Sequence, residues 1–316
     1  MITGYRLNDG GLAPADSPES AIWLDLMEPT EEERDRITAL LGFEAPTEAE
    51  QAEIEMSSRL YLEGEAAVMT ALMPAHTKTD QAEIGPVTFI LTGDRLITLR
   101  HHEPRPFTSF PAHAGHSHLP CDCALAVLLG LMEDTIDRLA DLIEYVGRKI
   151  ETLTTRVFRP APGERPDLEA RLQKIGWRDA LITHVRDSLV TIERLLGFLA
   201  PVLEKRGESK AALALVASQM RDVRTISEQA GFLMQKTSFL LDATLGLISI
   251  EQNAITKMFS IVAVVFLPPT LVASIYGMNF QFMPELGFHL GYPLALFFMV
   301  ASAAVPLLYF RRKKWF

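Results

Sequence analysis

The chain is 316 residues long, 48% hydrophobic and 22% charged, with a formal net charge of −10 and two cysteines, Cys121 and Cys123. An acidic chain lacks the basic face that nucleic-acid binding requires, and two cysteines fit a reducing compartment with no disulfide framework. The charge is uneven: residues 258–316 hold four basic groups and one acidic group, a net +3, which leaves −13 on residues 1–257, a balance suited to attracting cations.

The first twenty residues contain no apolar run of the secretory kind, so residues 1–257 are expected to stay in the cytosol. "AIWLDLMEPTEEERDRITALLGF" reads as a short strand over 22–26 and then a helix, with Thr30 as N-cap and Glu33 closing a capping box. "RLYLEGEAAVMTALM" and "PVTFILTGDRLITLR" read as strands, Gly93 and Asp94 marking a hairpin turn in the second. The Pro- and His-rich connection 101–122 holds too many breakers for regular structure. Residues 123–158 contain no proline and repeat apolar residues at helical spacing; "RPAPGERP" ends that helix, and 168–203 forms a second, antiparallel to the first. A third helix starts near Ser209 and meets no proline before Pro268. Unbroken to Tyr276, it would be roughly 100 Å long at 1.5 Å per residue. No internal repeat or low-complexity tract is present.

Between Met258 and Phe310 the one formally charged residue is Glu285. Residues 258–276 and 292–310 are two stretches of 19 apolar-rich residues, and about 20 such residues make a helix that crosses the hydrocarbon core. A buried soluble hairpin would be expected to carry a polar stripe on a helix face. Lys257 precedes the first span, Arg311, Arg312, Lys313 and Lys314 follow the second, and the loop "GMNFQFMPELGFHLG" has no Lys or Arg, so both ends should face the cytoplasm and the loop the outside.

Two membrane helices cannot enclose an aqueous path in one copy, so transport would require self-association. Asn253, Thr256, Ser260, Ala263, Leu267, Thr270 and Ser274 recur at alternating intervals of three and four, one face at coiled-coil spacing. Such a stripe either lines a pore or lets helices pack closely through small and hydroxyl residues.

"YGMNFQFMPEL", together with "QNAITKMFSIVAVVFLPPTLVAS", "GYP" and the terminal "RRKKWF", resembles the CorA family of magnesium transport proteins, whose signature tripeptide here is Gly277, Met278 and Asn279. In looser form the resemblance extends over the whole chain, through "DLMEPTEEE" and "ITLRHHEPRPF". It implies an α+β cytosolic domain, sandwich-like, with a long stalk helix continuing into a two-helix transmembrane region, assembled as a funnel-shaped homopentamer. The corresponding segments are a cytosolic α/β domain (1–120), a helical pair (121–208), the stalk and pore helix (209–276), the external loop (277–291), the second span (292–310) and a basic cytoplasmic end (311–316).

Residue by residue, the resemblance implies ion selection at Gly277, Met278 and Asn279, polar pore positions at Asn253 and Thr270, and an apolar constriction at Leu267. Thr256 stands where some members carry a large apolar residue, which puts a second constriction there in doubt. Mg²⁺ dehydrates reluctantly, so a neutral mouth should recognise its waters: Asn279 offers an amide oxygen, and Gly277 lets the backbone approach. Glycine and asparagine are equally at home as a helix C-cap and a turn residue. Glu285 is the acidic residue of the loop. Pro268 and Pro269 are expected to kink the helix. The implied function is potential-driven Mg²⁺ influx, with Co²⁺ and Ni²⁺ as further substrates, through the inner (plasma) membrane with both termini cytoplasmic. The resemblance further implies that internal Mg²⁺ bound between cytosolic domains closes the pore, and Asp222 resembles a participating position.

The alternatives are a zinc or other transition-metal transporter of the same superfamily, and an enzyme or sensor anchored by a hairpin. His101, His102, His113, His116, His118, Cys121 and Cys123 gather five of the eight histidines and both cysteines in 23 residues. These are borderline or soft ligands, but at no standard zinc spacing. No P-loop, G-x-S-x-G elbow or H-E-x-x-H helix appears, so neither a nucleotide cofactor nor an enzyme activity is expected. The expected partners are other copies of the chain, membrane lipid and divalent cations.

Overall fold

The two apolar runs "WLDLM" and "LITLR" lie side by side in the computed structural model, at the centre of a seven-stranded sheet. The structure describes residues 1–8, 11–53, 55–77, 82–116, 123–159, 167–279 and 283–313. Its strands are β1 (Ile2–Asn8), β2 (Gly11–Pro14), β3 (Trp23–Met27), β4 (Leu60–Glu63), β5 (Ala66–Ala75), β6 (Glu83–Leu91) and β7 (Leu96–Arg100). They stand in the order β2-β1-β3-β7-β6-β5-β4, with β3 and β7 parallel and every other pair antiparallel.

Alternation along a strand sends successive side chains to opposite faces, and both faces of this sheet are covered. Leu24, Leu26, Val68, Ile90, Ile97 and Leu99 form one buried cluster with Ile37 of α1 (Glu31–Leu41). Thr30 and Glu33 make the expected capping box at the start of α1, the Glu33 amide donating to Thr30 Oγ1 at 3.3 Å and the Thr30 amide to Glu33 Oε2 at 3.0 Å. A second box, Thr47 with Glu50, opens α2 (Glu48–Ala52), which is followed by α3 (Met56–Arg59).

On the opposite face Asp25 is buried and accepts from Thr98 Oγ1 at 2.8 Å and from Arg100 Nη2 at 2.8 Å, while Trp23 Nε1 donates to Thr98 Oγ1 at 3.0 Å. This network locks the β3 to β7 register, Asp25 opposite Thr98 and Met27 opposite Arg100. A one-residue slip would turn every side chain to the other face and leave buried charges unpaired, at a cost of about 3–5 kcal/mol.

The connection expected to be irregular contains α4 (Pro106–His113) and a following 3-10 turn. The expectation fails because Pro106 sits in the first turn, where a missing N–H costs nothing, and because Phe107 and Phe110 are buried against Trp23 at ring-centroid distances of 6.0 and 6.1 Å. Packing overrides the local breakers.

A helical layer follows: α5 (Ala124–Phe158), α6 (Leu168–Arg206) and α7 (Lys210–Tyr276). Thr191 of α6 accepts from the Leu72 amide of β5 at 2.9 Å, and Gln219 of α7 donates to the Leu129 carbonyl of α5 at 2.8 Å. Gly207 in the left-handed region, φ 73°, ends α6, and the Ser209 hydroxyl accepts from the Ala212 amide at 3.1 Å to start α7.

By its internal contacts the chain divides at residue 241, Met1–Leu241 forming one unit and Asp242–Phe316 another. The second holds the remainder of α7, a 3-10 turn over Pro284–Gly287 and α8 (Gly291–Arg312). α7 continues through Pro268 and Pro269 as helix. Of the most apolar 18-residue windows of α7 and α8, only 6% and 11% of residues are buried within the chain, so neither helix finds its core in this chain. Apolar surface of that extent marks a membrane or protein contact.

Candidate ion path and mouth

Every member of the α7 stripe, Asn253, Thr256, Ser260, Ala263, Leu267, Thr270 and Ser274, is exposed. Leu267 is the large apolar member, 66% exposed. Three of the four hydroxyls bond back to their own helix. Thr256 Oγ1 donates to the Gln252 carbonyl at 2.9 Å, Ser260 Oγ to Thr256 at 2.9 Å and Thr270 Oγ1 to Phe266 at 2.7 Å. A hydroxyl has one proton and two lone pairs, so once its proton is committed to the helix it offers the outside only acceptors. That is the polarity demanded by the waters of a hydrated cation, whose hydrogens point outward.

At the end of α7 the Gly277 amide donates to the Ala273 carbonyl at 2.9 Å, and the Met278 amide to Ile275 at 3.3 Å, so the last turn tightens. Gly277 is not one of the left-handed residues, which among the described glycines are Gly42, Gly64 and Gly207. Its lack of a side chain matters for a different reason: a Cβ there would lie 3.1 Å from the Ala273 carbonyl oxygen. Asn279 is exposed. The side chain of Glu285 lies outside the described residues.

In the first unit Asp222 of α7 is exposed, as is Asp137 of α5. The Asp137 carboxyl is raised from its ordinary value, first by desolvation and then by Glu133, Asp134, Asp141 and Asp222. Sequence reading had singled out Asp222 alone; the signal for the rest was the spacing in "EDTIDRLAD", which puts 133, 137 and 141 on one helix face.

The His- and Cys-rich segment is dispersed where it is described. His102 is buried, its Nε2 2.8 Å from the Met73 carbonyl, and its pKa is lowered by burial. His101 Nδ1 lies 4.0 Å from Glu48, and His113 Nδ1 2.9 Å from the Ser109 carbonyl. Cys123 is an exposed free thiol preceding α5. His118, Cys121 and the His116 side chain lie outside the described residues. Among the described residues no group of three His, Cys, Asp or Glu is placed to hold a metal ion.

Comparison with known proteins supplies context for this geometry. A family model described as "CorA-like Mg2+ transporter protein" matches residues 18–312. The chain is 36% identical over 324 residues to the magnesium transport protein CorA of Escherichia coli (strain K12), and 37% identical over 320 residues to that of Pasteurella multocida (strain Pm70), with 100% of each chain covered in both cases. Among solved structures it is similar to the complete CorA magnesium transporter from Methanocaldococcus jannaschii, with TM-score 0.71 at 17% identity over 100% of this chain and 99% of that one. It is also similar to the full-length CmaX protein, with TM-score 0.66 at 17% identity over 98% and 96%. At these identities the structural likeness speaks to the fold.

Proposed function

Because the chain belongs to the CorA-like Mg²⁺ transporter family, we propose that it carries Mg²⁺ into the cell through a pore built by a ring of copies, five by family resemblance, in the inner membrane with both termini cytoplasmic. The observation that supports this most directly is the row of three hydroxyls, Thr256, Ser260 and Thr270, whose protons are committed to their own helix, on an α7 whose most apolar window is almost wholly uncovered. Mg²⁺ holds its waters tightly. A path that accepts hydrogen bonds from those waters stabilises the hydrated ion without stripping it.

At the mouth, the amide oxygens of Asn279, repeated around the ring, orient the hydrated ion while carrying no charge, so binding stays weak enough for release. Further along, Leu267 forms an apolar constriction that closes by excluding water. An inside-negative potential drives a divalent cation inward with roughly 4.6 kcal/mol per 100 mV. Co²⁺ and Ni²⁺, which also travel as hydrated divalent ions, are secondary substrates. Closure is set by internal Mg²⁺ held among the carboxylates near Asp222.

The test is flux. Full-length protein in proteoliposomes with an inside-negative potential should admit Mg²⁺, with Co²⁺ and Ni²⁺ slower and Zn²⁺ least. Asn279→Ala should reduce Mg²⁺ entry by at least about tenfold with insertion and oligomer size unchanged, since the side chain is exposed and supports no packing. Wild-type flux from that variant removes Asn279 from the mechanism, and preferred Zn²⁺ entry replaces magnesium with the transition-metal reading.

A further inference from the structure

Between α7 and α8, inside the second unit, a largely apolar groove of about 890 Å³ is lined by Ala254, Met258, Ile261, Val265 and Leu307, with Asn253 and Lys257 as the polar residues of its described lining. We propose that this groove seats an anionic phospholipid of the cytoplasmic leaflet, its acyl chains along Met258 to Val265 and its phosphate at Lys257.

Position around the helix decides against the α7 of a second copy as occupant. At 100° per residue, the mean direction of the nine α7 residues that line the groove lies roughly 150° from that of Thr256, Ser260, Ala263 and Leu267, Asn253 alone standing within about 60° of the stripe. This step rests on the pore reading: if that stripe faces the axis of a closed ring, neighbouring α7 helices meet within about 60° on either side of it. The groove then looks outward, where the surrounding medium is lipid. Its lining is apolar along the span, as acyl chains require.

Charge complementarity selects the class of lipid. Lys257 stands where the span begins, and on α8 Arg311 follows Leu307 by one helical turn, with Arg312 and Lys313 after it. Basic residues at the cytoplasmic end of paired membrane helices attract anionic head groups. A zwitterionic lipid would satisfy the apolar part equally and gain nothing from the basic end.

The experiment uses the full-length oligomer equilibrated with vesicles of phosphatidylcholine and phosphatidylglycerol in equal amounts, then extracted in mild detergent for native mass spectrometry of retained lipid. Wild type is expected to retain phosphatidylglycerol over phosphatidylcholine. Lys257→Gln should cut that preference about fivefold, the worth of one basic residue near the head groups. Val265→Phe, which fills the groove, should lose both lipids while the oligomer keeps its size. Equal retention of the two lipids by wild type, or an unchanged preference in Lys257→Gln, overturns the proposal. So does dissociation of the oligomer by Val265→Phe, which would make the groove a contact between copies. The readout is bound lipid, so absence of Mg²⁺ flux in wild-type vesicles would remove the pore reading without being mistaken for a lipid result.

Discussion

Asp137 shows how a single carboxyl reports on its neighbours. Its pKa is raised by desolvation, by three acidic residues of its own helix and by Asp222 of α7. A carboxyl that holds its proton more tightly in the folded state contributes stability that is full below its ordinary value of 3.8 and is lost as pH rises through the raised value. At neutral pH the ionised group is therefore mildly unfavourable, by about 1 kcal/mol or less because it is open to solvent. Asp137→Asn should raise the melting temperature at pH 7 by a few degrees at most, and that gain should vanish near pH 3.5. Added Mg²⁺, which cancels the same repulsion, should stabilise wild type more than the variant. Thermal unfolding at the two pH values, with Mg²⁺ and with chelator, checks all three; a variant less stable than wild type at pH 7 would mean that Asp137 is held by contacts that outweigh the repulsion.

Among the elements, legibility followed the range of the forces involved. α1, α5, α6 and α7 announce themselves locally, through the Thr30 and Glu33 box, through proline-free apolar periodicity, and through Gly207 and Ser209 between α6 and α7. α4 does not, because its helix is held by Phe107 and Phe110 packing on Trp23, more than 80 residues earlier in the chain. β1 and β2 were equally invisible: their seven and four residues carry no strong alternation and owe their state to pairing with β3 and with each other. At the candidate site the stripe was legible as spacing, but the direction of its hydroxyl protons was not. That direction needed the helix, because each donor finds its carbonyl four residues back. Pore lining and helix packing still make different predictions for this element. In a background lacking Cys121 and Cys123, Thr270→Cys and Ser274→Cys in the oligomer should react with small charged thiol reagents, while Val264→Cys and Val265→Cys should not, since a thiol facing hydrocarbon does not ionise. Equal protection of all four would favour packing.

For the molecule as a whole, an open cation path driven by the membrane potential would overload the cell unless something closes it. Residues 1–257 carry −13, and α7, which bears Asp222, continues as one helix to Leu267 and Tyr276. On the proposed reading, carboxylates on neighbouring copies would repel one another, a divalent ion between them would cancel the repulsion, and its departure would let copies separate and the Leu267 ring widen. Each exposed pair is weak, but repetition around a ring multiplies the effect with every copy. Millimolar Mg²⁺ should therefore slow proteolysis of the soluble unit and lower flux together, with Co²⁺ substituting in part. Asp222→Asn, alone or with Asp137→Asn, should shift both responses to higher Mg²⁺ in parallel, because one equilibrium governs them. If cleavage proceeds identically with Mg²⁺ and with chelator across a range of protease concentrations, the acidic face does not sense the ion, and closure must be sought within the membrane helices themselves.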